Sequence, residues 1–355
     1  MRLTYTFLVI GFLTAAFTGC KDPKEETTPF DKEALLRNFA DRIIVPSIER
    51  FQSDINALQT SFTAFETDRT AANLEEVRTK WKTAYLQWQA VKIFDFGPIR
   101  NRAFKASTGT YPTDTVKITS NITAGGYDLA SINNIDAIGL PALDFLLYRN
   151  DAITYFAGDD PYTTYTKNVI QKMVTETQQI VSAWSSYRAT FIASTGTETT
   201  SAFSGLVNEF NRDYELAKNA KLGIPIGKQS LGIQLSEYIE ARYSGISLEL
   251  LDNNIRYLDN LYKGNSFNSG LNGVGFDDYL KHLERSSLDG TIRGNFASIR
   301  SSIGAFNGTL EEEMNTNTTG LDALYTQMHG QVVSLKTDMT SAFGVLITYQ
   351  DNDGD

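Results

Sequence analysis

The chain has 355 residues, of which 42 are Asp or Glu and 32 are Lys or Arg, so its formal net charge at pH 7 is −10. This acidic balance argues against nucleic acid and anionic lipid headgroups as partners and favours cations or basic molecules. The single cysteine, Cys20, excludes an intramolecular disulfide. The length allows one large domain or two of ordinary size.

The first twenty residues predict a targeting segment rather than part of the fold. Arg2 supplies a positive charge, the apolar run at 8–17 is too short to span a membrane, and the sequence ending in Cys20 resembles a bacterial lipobox. We expect a signal peptide at 1–19, a lipid on Cys20 that attaches the protein to a membrane of the bacterial cell envelope, and a flexible tether at 20–31. The alternative is an ordinary secretory signal with an incidental cysteine.

Apolar residues recur at helical spacing along most of the remaining chain, and period-2 alternation is confined to short runs such as 115–119. The first predicted helices cover about 35–65, which Pro46 kinks or divides, 70–91 with Thr70 as the N-cap, 129–147 unless Gly139 and Pro141 break it, and 165–184. The later ones cover about 203–214, 235–261, 276–283, 292–306 and 321–346. We therefore predict an all-α fold of two helical-bundle halves, 32–190 and 191–355.

A long irregular loop interrupts the first half. Helical periodicity stops at Gly97-Pro98, and residues 97–126 are rich in turn-forming residues. Loops of this length are uncommon in compact domains and are often functional. Arg100 lies here with Arg102 and Lys105, which makes a basic cluster in an otherwise acidic protein.

Two stretches place polar side chains where a bundle should be apolar. The run 139–149 is apolar enough to be buried but carries Asp144, and a buried ionisable group either has a partner or serves a site. In the predicted helix 235–261, Glu240, Tyr243 and Ser247 share one face. Arg242 lies two residues from Glu240 and need not share that face. A solvated face or a buried structural network is the alternative interpretation.

Several catalytic and metal-binding signatures are missing from the sequence. It has no H-E-x-x-H, P-loop or G-x-S-x-G motif, and His282 and His329 lie outside any metal signature. The run 351–355 begins like an EF-hand loop, but the chain stops before the glutamate at position twelve. We assign no catalytic residue.

Several segments, in their order and spacing, together resemble the imelysin family of envelope proteins. They are Trp81–Trp88, Phe94–Pro98, Tyr111-Pro112, Gly139–Tyr148, Leu222–Pro225, Arg242–Ser247, Asn253–Gly264 and the C-terminal run from Leu335. The resemblance implies an all-helical body of two bundle-like halves with a site between them, and a link to metallopeptidase activity and iron uptake. The family's Gly-x-His-x-x-Glu motif falls on residues 139–144, where Pro141 stands in place of the histidine and Asp144 in place of the glutamate.

Because the histidine ligand is replaced, our leading hypothesis is a non-enzymatic envelope lipoprotein that binds a small polar molecule or a cation, such as iron or another divalent ion. The candidate binding residues are Asp144, Glu240, Tyr243, Ser247, Arg100 and Arg242, with Asp144 and Glu240 as the candidate metal ligands. The alternatives are a metal-dependent peptidase and a scaffold protein with a vestigial site.

Overall fold

A computed structural model describes residues 28–350 except 159, 268 and 270. The predicted signal peptide, the predicted lipid attachment at Cys20 and the C-terminal run 351–355 lie outside the described residues. Within them the secondary structure is helical and contains no strand, which confirms the all-α prediction. The same residues include no helix that is both long enough and apolar enough to cross a membrane.

The first nine α-helices are α1 (Lys32–Asn38), α2 (Val45–Thr67), α3 (Ala71–Val91), α4 (Pro98–Asn101), α5 (Phe104–Gly109), α6 (Thr115–Ala124), α7 (Gly139–Tyr148), α8 (Ala152–Gly158) and α9 (Asp160–Ala193). The others described are α10 (Ala202–Leu216), α11 (Ser247–Tyr262), α12 (Phe276–His282), α13 (Ser286–Ile303), α14 (Leu310–Thr316), α15 (Thr318–Val332) and α16 (Thr340–Phe343). π-Helical segments occupy Phe39–Ile44, Ala217–Gly223 and Val333–Met339, and 3-10 turns occupy Lys92–Phe94, Ile132–Asn134 and Ser236–Tyr238.

Short polar side chains begin several of these helices. The Thr70 side chain accepts a hydrogen bond from the N–H of Asn73, which confirms the predicted N-cap of α3. Pro46 is the second residue of α2 and follows the π-helical segment Phe39–Ile44. Proline has no N–H to donate to the carbonyl group four residues earlier. The chain therefore forms a wider π-helical turn before Pro46 and then continues as the α-helix α2.

The structure corrects four of the predicted features. The loop 97–126 contains helices α4, α5 and α6, and the β-like run 115–119 is the first half of α6, capped by Asp114. The helix predicted at 129–147 begins only at Gly139. The helix predicted at 235–261 begins only at Ser247.

Left-handed backbone conformations explain the late start of α11. Ala241 has φ +52° and Gly245 has φ +73°, values that a right-handed helix cannot contain. Glu240 and Tyr243 therefore lie in an irregular loop, and the shared helical face predicted for Glu240, Tyr243 and Ser247 is wrong.

Residues 31–350 belong to one compact unit. Its core is rich in aromatic side chains, of which Trp81, Trp88 and Trp184 are buried. The predicted division at 32–190 and 191–355 stays a prediction. Helix α3 from the first stretch packs directly against α11 from the second. Around this contact, α5, α10 and the loop that precedes α11 come together, and they form the walls of the candidate site.

Candidate functional site

Helix α7, which carries Asp144, begins in a tight contact with the end of α5. Gly139 has φ +77°, and a Cβ atom there would lie 2.4 Å from the carbonyl oxygen of Thr108, so only glycine fits. Pro141 lies in the first turn, where a backbone N–H has no helical partner to lose. Local backbone geometry therefore accounts for both residues without any ligand.

Asp144 anchors the loop that precedes α11. Its carboxylate is buried and accepts hydrogen bonds from the backbone N–H groups of Tyr243 at 2.9 Å and Ser244 at 3.0 Å. Burial raises the pKa of Asp144 to about 6. The Ser244 side chain and the backbone N–H groups of Tyr243 and Ser244 oppose this rise, and the Glu240 carboxylate adds to it. The predicted buried charge thus has a partner, and that partner is the backbone.

Each of the other predicted site residues has its own environment. Glu240 forms a buried ion pair with Lys221. The half-exposed Arg100 forms an ion pair with the buried Glu209 of α10. The three remaining predicted residues differ from one another in exposure and in contacts. Arg242 pairs with Glu311 at 2.6 Å on the surface, the exposed ring of Tyr243 packs edge-on against Phe145, and Ser247 is buried as the first residue of α11.

Two adjacent cavities divide these residues between them, and Tyr111 and Pro112 line both. The larger, of about 580 Å³, is lined by Glu240 and Arg100. The smaller, of about 300 Å³, is lined by Asp144, Pro141, Arg242 and Tyr243, and Ser247 lines neither. The structure therefore does not join the predicted set into one constellation.

Basic side chains line the larger cavity. Among the described residues, its charged lining consists of Lys92, Arg100, Lys105, Arg212, Lys221, Asp95 and Glu240. Its apolar lining includes Trp88, Tyr111, Pro112, Leu216 and Ile224. A basic, partly apolar cavity in a protein of net charge −10 is a marked local reversal of charge.

A buried network holds the inner end of this cavity. Lys92 Nζ donates to Asp213 Oδ1 at 2.6 Å and to Asn254 Oδ1 at 3.0 Å, and Asn254 Nδ2 donates to Asp213 Oδ2 at 2.7 Å. Burial lowers the pKa of Lys92 to about 8. Burial alone would raise the pKa of Asp213, but Lys92 and Lys105 lower it to about 2. The pair is therefore charged at neutral pH.

The sequence interpretation missed Lys92, Arg212, Asp213 and Lys221, although it placed Lys105 in a basic cluster. Lys92 follows the apolar stripe of α3 and precedes Ile93-Phe94, which is an unusual place for an ammonium group. Spacing could have flagged Lys92 as buried. It could not have paired Lys92 with Asp213, 121 residues further along the chain.

The described residues do not fit the metal that a link to metallopeptidases implies. No group of three or more His, Cys, Asp or Glu side chains in this part of the chain is arranged to hold a metal ion. Pro141 offers no ligand, Asp144 accepts two backbone N–H groups, and Glu240 is paired with Lys221. A hard cation needs several free oxygen ligands, and these carboxylates are already engaged.

Comparisons with known proteins agree on one family. A family model described as imelysin matches residues 44–335. Two crystal structures share the fold. One is an imelysin-like protein from Psychrobacter arcticum, with TM-score 0.75 and 15% identity over 90% of this chain and 97% of that one. The other is a candidate iron-regulated protein A precursor from Parabacteroides distasonis, with TM-score 0.70 and 16% identity over 88% and 97%.

A curated relative is similar over a shorter segment. Iron-regulated protein A of Synechococcus elongatus is 26% identical over 114 residues, which cover 32% of this chain. The match spans 31% of that protein's length, or about a third.

Proposed function

Because the chain belongs to the imelysin family, we propose that it is an imelysin-type envelope lipoprotein that binds a small polar molecule in the larger cavity and has no peptidase activity. The cavity carries the proposal. Its volume of about 580 Å³ lies within the usual range for small-molecule sites. It also combines apolar walls with charged side chains, and small-molecule sites likewise combine apolar lining with polar groups that orient the ligand.

The donor set supports binding rather than metal-dependent cleavage. The family motif here contains a proline and an aspartate whose oxygens accept two N–H groups, so a catalytic metal would lack its expected ligands. The ion pair between Glu240 and Lys221 likewise favours a small polar molecule over a bare cation as the ligand.

Two further parts of the proposal concern cellular context. The signal peptide and lipobox-like sequence ending in Cys20 support a lipid-anchored protein of the bacterial envelope. The relatives from Synechococcus elongatus and Parabacteroides distasonis have names that refer to iron regulation, which supports a role connected with iron supply.

A ligand screen with a cavity-filling variant tests the proposal. Thermal unfolding of the purified protein against a library of small polar metabolites should identify compounds that raise the Tm, since a ligand of the folded state stabilises it. Ala220→Leu, which fills the cavity, should abolish these shifts. Ala72→Leu, on the exposed first turn of α3, should leave them unchanged.

Other results would overturn parts of the proposal. Cleavage of unstructured substrates in the presence of zinc, abolished by a chelator, would establish the peptidase alternative. A complete absence of ligand-induced shifts, together with no cleavage, would support the scaffold alternative.

A further inference from the structure

The charges around the larger cavity pair with one another and leave one cation over. The pairs are Lys221 with Glu240, Arg100 with Glu209, Lys92 with Asp213, and Arg212 with Asp95 at 3.4 Å. The fifth cation, Lys105, shares Asp213 with Lys92. Among the described residues, five basic groups thus stand against four carboxylates, so the cavity carries one surplus positive charge.

Lys105 is the least satisfied of these groups. Its Nζ atom is buried and donates no hydrogen bond to any residue that the structure describes. It lies 3.5 Å from Asp213 Oδ1, whereas Lys92 holds the same oxygen at 2.6 Å. An ammonium group has three N–H donors, and burying these donors without acceptors destabilises the folded state. A ligand that supplies an acceptor here would remove that destabilisation.

The exposure of the basic side chains distinguishes the mouth of the cavity from its inner end. The side chains of Arg100 and Arg212 are 52% and 39% exposed and mark the mouth, whereas Lys92 and Lys221 are buried. The buried ring of Trp88 contributes to the apolar wall of the cavity. A ligand that fits has a negative group directed towards Lys105 and an apolar body along the walls.

We infer that the cavity binds a small organic oxyanion, a carboxylate or a phosphate ester with an apolar body, and that the Lys105 ammonium is its main charged contact. This inference rests on the proposed function and specifies its ligand class. The net charge of −10 disfavours non-specific binding of such anions to the protein, whereas the surplus positive charge of the cavity favours it locally.

A series of small probes with anionic, neutral and cationic headgroups tests the inference. Calorimetry on the purified protein would compare 4-phenylbutyrate with its neutral amide and with 4-phenylbutylamine, and phenyl phosphate with inorganic phosphate. We expect 4-phenylbutyrate or phenyl phosphate to bind at least tenfold more tightly than the amide, and the amine to bind most weakly. The better of the two oxyanions identifies the headgroup, and weak binding of inorganic phosphate would show that the apolar body contributes.

A matched pair of lysine variants identifies the contact. Lys105→Met should weaken oxyanion binding at least tenfold and leave amide binding unchanged. It should still fold, because Asp213 keeps Lys92 and Asn254 as partners. Lys167→Met is the control, since Lys167 is 57% exposed and pairs with Glu66 outside the cavity. If Lys105→Met does not fold, the probe series on the natural protein decides alone.

The outcomes separate this inference from the proposed function. Amide or amine binding as tight as that of the oxyanions would overturn the inference and leave small-molecule binding in place. Unchanged oxyanion affinity in folded Lys105→Met would overturn the role of Lys105. No binding by any probe, with no hit in the metabolite library, would overturn both.

Discussion

The Asp144 carboxylate accepts a 2.9 Å hydrogen bond from the backbone N–H of Tyr243, which lies 99 residues later in the chain. This contact joins helix α7 to the irregular loop before α11. The loop also carries Glu240, which lines the larger cavity. Asp144 therefore holds the loop that forms part of the cavity wall, and it does not itself line the cavity in which we propose that the ligand binds.

The stability contributed by Asp144 should fall as pH rises. Its pKa is raised from 3.8 to about 6, so between these values the folded state binds the proton more tightly than the unfolded state. Stability from this group is fully present below about pH 4 and is lost through about pH 6, a change of about 3 kcal/mol. Urea unfolding at pH 4 to 7 should show this loss in the natural protein relative to Asp144→Asn. A difference between the two proteins that is constant over that range would contradict the prediction.

The ion pair between Glu240 and Lys221 should be sensitive to loss of one partner. Both side chains are at most 3% exposed, so Glu240→Gln leaves a buried ammonium group without its counter-charge. We expect the free energy of unfolding to fall by about 3–5 kcal/mol. Glu311→Gln breaks the pair with Arg242, whose side chains are 38–39% exposed, and should cost less than about 1 kcal/mol. Urea unfolding measures both losses. Equal losses in the two variants would contradict the prediction that a buried ion pair is more sensitive than an exposed one.

Gly139 should not tolerate a side chain. A Cβ atom would approach the Thr108 carbonyl oxygen to 2.4 Å at φ +77°, so Gly139→Ala must move α7 or α5. We expect a loss of about 2–4 kcal/mol, measured by thermal or urea unfolding. Gly290→Ala is the control, because Gly290 lies within α13 with open space around its Cα, and should gain about 0.5–1 kcal/mol. A stable Gly139→Ala protein would show that the contact between α5 and α7 is loose.

Arg100 should affect how fast an anionic ligand enters the cavity more than how slowly it leaves. It is half exposed at the mouth, and Glu209 keeps Arg212 at 3.4 Å after Arg100→Gln. Rim charges change association rates and their salt dependence. Stopped-flow binding of the best oxyanion probe should show a several-fold slower association with unchanged dissociation. Faster dissociation at an unchanged association rate would instead assign Arg100 a direct contact with the bound ligand.

The sequence predicted the parts of this protein that depend on neighbouring residues. Helical spacing, the Thr70 cap and the apolar run around Asp144 involve residues within one or two turns, so they could be identified from the order of residues alone. The same spacing was misleading before Ser247, because apolar periodicity does not reveal that Ala241 and Gly245 adopt positive φ values.

Only the tertiary structure decided what the charged residues do. Glu240 pairs with Lys221, Asp144 with the backbone of Tyr243 and Ser244, and these pairings depend on where distant segments pack. Spacing along a helix indicates which residues share a face of that helix. It does not indicate which distant segment packs against that face. For that reason the sequence alone identified the family and the buried carboxylate, while the basic cavity around Lys105 emerged only when α3, α5 and α10 were brought together.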